Sequence, residues 1–483
     1  MRWKVTLRLV GIVICLVGIA QLLPAIVSWY YQDDMLGVFL VSGLLALIPG
    51  IMLVLFCQTK NADPAMNHKQ GIVLVVLGWF CASLFGSLPF VLSGLFPHFT
   101  DCFFESVSGF TTTGASVLSD VESFPPSILF WRSLTQWLGG MGIILLSLAV
   151  LPFLSVGGMQ LYKTEVPGHT SDRLRPRLRD TAKFLWVTYL SLTAAEVILL
   201  FLGGMSLFDS CCHTFSTVST GGFSTKNGSI KAFSSLYVEI IIIVFMYLAA
   251  VNFALHFRLF RGKISGYIYN SEFRFFTYAI LMVCLIISLF IWGDVFGSYL
   301  QAIRYSLFQT VSVMTTSGFV TGDYGLWGTF PLIVLLLCML CGGMAGSTSG
   351  GLKFVRVLLL GKQASRELKM LVHPRAVLHV KMDQKRISDD VLKGVCGFVL
   401  LYLGLIFVFT MVLSVVDLDV LTALGSVVAC SGNIGPGPGG GGLMSSYANF
   451  SLLGKWLLTL CMFLGRLEIY TVIILLFPEF WKQ

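Results

Sequence analysis

The sequence predicts an all-α integral membrane fold in which two transmembrane helices precede four span/re-entrant-loop/span repeats. Three observations predict it: a surplus of apolar residues, stretches long enough to cross a bilayer, and a Gly/Ser/Thr cluster that returns about every hundred residues.

Of the 483 residues, 56% are hydrophobic and 12% charged, and the mean hydropathy is +0.85. A soluble domain carries about 25% charged residues, so a soluble fold is excluded. About 20 apolar residues of helix cross a hydrocarbon core. Ten stretches approach or exceed that length: 9–30, 35–57, 71–95, 130–156, 182–203, 235–257, 275–293, 328–360, 394–416 and 451–477. The first is too long for a signal-peptide core and runs into Asp33 and Asp34 rather than a cleavage site, so it reads as a retained anchor. The implied divisions are 1–69 for the two leading helices and 70–160, 161–262, 263–362 and 363–483 for the repeats.

Lys and Arg alternate from one connection to the next. One side carries Arg2, Lys4 and Arg8; Lys60 and Lys69; Lys163, Arg173, Arg175, Arg177 and Arg179; Arg258, Arg261 and Lys263; and a basic stretch from Lys353 to Lys393. The positive-inside rule makes these ends, and both termini, cytoplasmic. The opposite connections hold Asp33, Asp34, Asp101, Asp120, Glu122, Asp294, Asp323, Asp417 and Asp419, with a few cations such as Lys226 and Lys231. The net charge of +8 therefore reflects topogenesis, because no basic patch with interleaved aromatics marks a nucleic-acid surface. Most of the 12 Cys lie in apolar spans and the 7 His are scattered, so neither a disulfide framework nor a metal site is indicated.

The outer connections carry the clusters: FFESVSGFTTTGAS from Phe103, CHTFSTVSTGGFST from Cys212, FQTVSVMTTSGFVTG from Phe308 and GSVVACSGNIGPGPG from Gly425. Aligned, they share Gly114, Gly222, Gly318 and Gly435. Each cluster lies between two spans and must begin and end on the outer side, as a half-helix that enters and loops back does. Non-helical backbone at membrane depth is tolerated only inside protein or against a water-filled cavity, so four such stretches argue for one shared cavity. Gly permits backbone angles that align successive carbonyls, and a carbonyl ring can replace an ion's water shell. The alternative is close packing of small residues at helix interfaces. Its weakness is that it must recur four times at corresponding places.

These residues resemble the TrkH/TrkG-type potassium-uptake membrane subunits of the Trk/Ktr/HKT cation transporter superfamily. The resemblance is carried by TTTGAS at Thr111, WRSLTQWLGGMGII from Trp131, STGGF at Ser219, TTSGF at Thr315, NIGPG at Asn433 and GGMAGSTSGG at Gly342, and covers almost the whole chain. It implies a pseudo-fourfold pore whose selectivity filter is Thr112, Thr113 and Gly114; Thr220, Gly221 and Gly222; Thr316, Ser317 and Gly318; and Asn433, Ile434 and Gly435. Ser at the first shared position accompanies sodium transport in the superfamily, so Gly114 favours potassium. The fourth stretch departs most, with no Thr and with Pro436 and Pro438.

The run from Gly342 to Gly351 interrupts an apolar stretch with Gly342, Gly343, Gly346, Ser347, Thr348, Ser349, Gly350 and Gly351. Each Gly weakens a helix by about 1 kcal/mol relative to Ala. By resemblance this is the intramembrane loop that gates the pore, the alternative being a kinked helix. Arg466 lies about 22 Å along the last span and by resemblance faces the pore and touches that loop. Its alternative partner, Glu468, is two residues away and so on another helix face.

The resemblance also implies a homodimer in the bacterial cytoplasmic (inner) membrane. It implies a separate cytoplasmic TrkA-type ring that binds NAD or ATP, for which the basic loops at 163–183 and 353–393 are candidate docking surfaces. No cofactor is expected in this chain, only potassium as substrate. Gly435, Gly437 and Gly440 match G-x-G-x-x-G, but no strand precedes them and two Pro intervene, against a dinucleotide site. The alternatives are a potassium/sodium symporter of Ktr or HKT type and, more distantly, a polytopic membrane enzyme. The last lacks a convergent acidic or His set, since Glu105 and Glu196 read as isolated residues, each with a structural hydrogen bond.

Overall fold

The computed structural model describes residues 3–58, 67–149, 174–260, 262, 264–416, 418–439 and 446–482. The basic loop at 163–183 lies outside them up to residue 173, as do Arg2, Lys60, Arg261, Lys263, Asp417 and Gly440.

The leading helices, Trp3–Ala20 continued by Leu22–Tyr31, and Leu36–Phe56, pack against each other through glycines. A Cβ on Gly11 would lie 2.8 Å from Gly50 O, and one on Gly18 would lie 3.0 Å from Gly43 O. Such close backbone approach is how membrane helices associate where lipid removes the hydrophobic drive. Gln21 Nε2 then donates to Phe85 O at 3.1 Å and ties this pair to the first repeat.

Four repeats follow. The first consists of the span His68–Gly86 with Leu88–Ser93, the half-helix Phe99–Phe110 and the second span Pro126–Ala149. The second consists of Leu174–Leu202, Leu207–Val218 and Leu236–Ala250 with Phe253–Phe260. In the third, Ser271–Ile291 and Tyr299–Met314 precede a second span divided into Thr329–Met339 and Phe354–Val372. The fourth has Asp389–Val415, Val420–Ser431 and Leu452–Arg466 with Ile469–Ile473. The half-helices have 12, 12, 16 and 12 residues, too short to cross a bilayer. A side chain caps the second and fourth: Ser206 Oγ accepts from Asp209 N at 3.0 Å and Asp419 Oδ2 from Thr422 N at 3.0 Å, the usual N-cap arrangement.

Two stretches expected to run straight do not. Leu236–Ala250 and Phe253–Leu259 meet at 103°, and Leu452–Arg466 and Ile469–Leu476 at 112°. At the first bend Val251 is extended, and Asn252 Oδ1 accepts from Ala254 N at 2.8 Å to start a new helix. At the second, Glu468 is left-handed, with φ 59. Apolarity continues through both bends, so hydropathy cannot register the change of direction. Among the described residues there is also one hairpin beside the helices, Lys381–Met382 paired with Lys385–Arg386 through the left-handed turn residues Asp383 and Gln384.

Ion pairs join the repeats at buried points. Lys455 Nζ of repeat 4 meets Asp101 Oδ1 of the first half-helix at 2.6 Å. Arg304 of the third half-helix grips Glu239 of repeat 2 through two bonds of 2.6 and 2.8 Å. Glu105 is not isolated: Arg132 Nε lies 2.7 Å from its Oε1, with both side chains buried. Glu196 is buried beside Thr217 of the second half-helix. Breaking a buried pair from one side costs about 3–5 kcal/mol because a charge is left uncompensated. Lys455→Met is therefore expected to lower the thermal unfolding midpoint of the detergent-solubilised protein sharply. Asp101→Asn combined with Lys455→Met should recover most of the loss, and equal losses in both would refute the pairing.

Candidate functional site: a ring of four backbone turns

Each half-helix ends in the same turn. The amides of Thr112 and Thr113 donate to Gly109 O and Ser108 O at 2.9 and 2.8 Å, and those of Thr220 and Gly221 to Thr217 O and Ser216 O at 2.9 and 2.7 Å. Thr316 and Ser317 donate to Val313 O and Ser312 O at 3.0 and 2.9 Å, and Asn433 and Ile434 to Cys430 O and Ala429 O at 3.2 and 2.9 Å. The conformations repeat as well. Thr112, Thr220, Thr316 and Asn433 have φ of 51, 56, 58 and 53, while Gly114, Gly222, Gly318 and Gly435 have φ of 80, 76, 78 and 94. One residue of negative φ separates the two left-handed ones in every stretch. Left-handed backbone is a rare and strained state for a β-branched Thr, costing about 1–3 kcal/mol. That it recurs at corresponding places marks a geometry imposed by the surroundings.

The predicted filter residues come together in a closed ring. A Cβ on Gly114 would overlap Gly221 O, one on Gly222 would overlap Ser317 O, and one on Gly318 would overlap Ile434 O. A Cβ on Gly435 would lie 2.6 Å from Thr113 O and close the circle. A cavity of about 150 Å³ touches Gly114, Gly222, Gly318 and Gly435 alike. The buried carbonyls of Thr112, Thr220, Thr316 and Asn433 accept no hydrogen bond from any described residue. Buried backbone carbonyls are nearly always paired, so four unpaired ones at corresponding places of adjoining turns set this ring apart from the rest of the fold.

Side chains brace the ring from behind. The Thr111 and Thr113 hydroxyls lie 2.8 Å apart, and those of Thr315 and Ser317 2.9 Å. In the divergent fourth stretch, Asn433 Nδ2 donates to Thr113 Oγ1 at 2.9 Å and Met462 O at 3.1 Å, while Tyr447 Oη donates to Gly435 O at 2.9 Å.

The Gly-rich segment is a loop and not a kinked helix, since the helices on either side stop at Met339 and restart at Phe354. It lies against the ring, where Gly350 N donates to Thr316 Oγ1 at 2.8 Å and a Cβ on Gly350 would lie 2.7 Å from that of Asn433. Thr348 Oγ1 donates to Val218 O and Ala249 O, both at 3.1 Å. Phe253 N donates to Gly346 O at 3.1 Å, so the bend of repeat 2 cradles the loop. Arg466 Nη1 donates to Thr348 O at 2.6 Å. Glu468 pairs with Arg356 at 2.6 Å and not with Arg466.

The family model described as TrkH, cation transport protein, matches residues 37–482. The chain belongs to the TrkH family. The Trk system potassium uptake protein TrkH of Escherichia coli strain K12 is 39% identical over 100% of both chains, and TrkG of the same strain is 38% identical over 99% of both. The crystal structure of the potassium transporter TrkH from Vibrio parahaemolyticus superposes with a TM-score of 0.91 at 37% identity, covering 100% of each chain.

Several residues that hold this TrkH-family loop escape a reading of the sequence. Glu272, at the start of the third repeat, accepts from Ala345 N at 2.8 Å and Val355 N at 3.1 Å through one oxygen. Lys353 Nζ donates to Ser349 O. Lys353 follows the loop directly in the sequence, but no spacing links Glu272 to it, and only an ionisable character inside apolar surroundings could have singled Glu272 out.

Ring closure and backbone strain can be separated. Gly204 has φ 90 with open space where a Cβ would stand, whereas Gly318 has φ 78 and no such space. Gly204→Ala is expected to lose about 1–2 kcal/mol of stability, the left-handed strain alone. Gly318→Ala should lose clearly more in thermal unfolding, and equal losses would contradict the ring.

Proposed function

We propose that this chain is the membrane subunit of a bacterial Trk-type potassium-uptake system and that Thr112–Gly114, Thr220–Gly222, Thr316–Gly318 and Asn433–Gly435 form its selectivity filter. The ring of left-handed turns with unpaired carbonyls carries the reading. Carbonyl oxygens held around an axis substitute for the hydration shell of a dehydrated cation, and the C-terminal ends of four half-helices add negative dipole ends below it. The distribution of Lys and Arg puts both termini in the cytoplasm, so the half-helices start from the outside. Ions then move inward down the membrane potential, worth about 2.3 kcal/mol per charge per 100 mV.

The loop Gly342–Gly351 is the gate on this reading. It sits on the inner side of the ring, and the guanidinium of Arg466 adds a buried positive charge beside it. A fixed cation there opposes entry of a second one. Withdrawing the loop removes the obstacle, and the sharp bends beside it supply joints that are already broken. A cytoplasmic TrkA-type ring binding NAD or ATP would act from the basic segment 353–393, and two copies of the chain would form a homodimer, as the resemblance carried by the sequence motifs implies.

The deciding measurement is rubidium, potassium and sodium uptake into liposomes. The wild type should favour potassium and rubidium over sodium. Gly114→Ser is expected to raise relative sodium uptake, and an unchanged ratio would count against the filter. Arg466→Gln removes the bond to Thr348 O and the charge together. It should raise potassium uptake several-fold in the absence of any cytoplasmic partner, and a wild-type rate would contradict the gate.

A further inference from the structure

Gln136 lies in the second span of repeat 1, one turn beyond Arg132, and is fully buried. Its side chain serves another repeat. Nε2 donates to Gly221 O at 2.7 Å, and Oε1 accepts from Phe223 N at 3.1 Å. One carboxamide thus bridges Gly222 and holds the backbone on either side of it. A Cβ on Gly221 would lie 2.6 Å from Gln136 Oε1, so the contact is close as well as polar. Arg132 works on the same face: it pairs with Glu105 and places its Cζ 4.1 Å over the ring of Phe223.

The oxygen that Gln136 holds is the one on which Gly114 is seated. The bond therefore sets how closely the first and second stretches approach. The corresponding carbonyls of Thr113, Ser317 and Ile434 accept no side-chain bond from any described residue. Repeat 2 is thereby distinguished from the other three. Its Gly221 carries no hydroxyl that could brace the turn from within, as Thr113 and Ser317 do in theirs.

We propose that Gln136 is a positioning residue for ion selectivity, clamping the second filter stretch from repeat 1 and fixing the spacing between the two. The proposal rests on the filter reading above and adds the residue that maintains its geometry. Among side chains of this length and shape, only the neutral amide offers a donor and an acceptor side by side. A carboxylate would set an oxygen against Gly221 O, and an apolar side chain would leave both backbone groups unpaired in a buried site. A carbonyl released from the clamp can follow a smaller ion inward, so discrimination should fall before throughput does.

The test uses full-length protein in liposomes, with uptake of potassium and sodium measured side by side. Gln136→Met is expected to lower the potassium-to-sodium ratio roughly tenfold, the equivalent of about one buried hydrogen bond. Gln136→Asn keeps the amide but ends one methylene short, should lower the ratio as well, and decides the matter if the Met variant does not fold. Trp137→Phe removes a bond of 3.1 Å to Thr193 on the adjacent face and should leave the ratio unchanged. A wild-type ratio in a folded Gln136→Met or Gln136→Asn variant overturns the proposal, as does an equal loss in Trp137→Phe. Absence of potassium preference in the wild type, or indifference to Gly114→Ser, would instead overturn the filter reading.

Discussion

Backbone polar groups cannot be left unpaired in hydrocarbon, and the architecture of this chain follows from meeting that constraint in four places where the helix stops. Each half-helix ends near the middle of the protein and exposes carbonyls that a continuing helix would have used. The turn that follows satisfies two amides within the chain and leaves the carbonyl of Thr112, Thr220, Thr316 or Asn433 without a partner among the described residues. A single stretch of this kind would be a defect. Four of them are seated on one another, each Gly against the next repeat's oxygen, and on the proposed reading their remaining partner is the cation.

The strain this requires is spread through the surrounding protein. A left-handed Thr does not hold its conformation alone, and the four stretches are held in three different manners. Hydroxyl pairs serve repeats 1 and 3, the Gln136 amide serves repeat 2, and Asn433 with Tyr447 serves repeat 4. The pseudo-symmetry is therefore one of backbone and not of side chains. This explains how the fourth stretch keeps the geometry while carrying Asn433 and Ile434 where repeats 1 and 3 have hydroxyl residues: Asn tolerates left-handed backbone more readily than Thr.

Some of this was legible in the sequence and some was not, for definite reasons. Gly114, Gly222, Gly318 and Gly435 stood out because only Gly fits both a positive φ and a contact with a neighbouring oxygen. The left-handed Thr residues carried no mark, because Thr gives no hint of that conformation. The loop at Gly342–Gly351 was visible through its Gly density, but Thr316 and Glu272, which help to hold it, come from separate elements. The pair Asp101 and Lys455 is 354 positions apart, beyond any spacing rule. Hydropathy reported the spans at 235–257 and 451–477 and missed both bends, since it measures what a residue dissolves in and not where the chain is heading.

Those bends explain why the loop can sit where it does. A straight second span in repeat 2 would carry helical hydrogen bonds through Ala249 and Ala250, whose carbonyls instead accept from Thr348 and Met344. A straight span in repeat 4 would use the backbone around Glu468, whose carboxylate instead anchors Arg356 at the start of the helix beyond the loop. Breaking the two flanking spans thus frees groups to hold the third, and the loop is pinned by the interruptions of its neighbours. The described second span of repeat 1 stays unbroken and is the one that supplies Arg132 and Gln136 to the ring. Three second spans are broken beside the loop and one runs intact beside the ring, and on the proposed reading the breaks are what would let the loop withdraw while the intact helix keeps its hold on the ring.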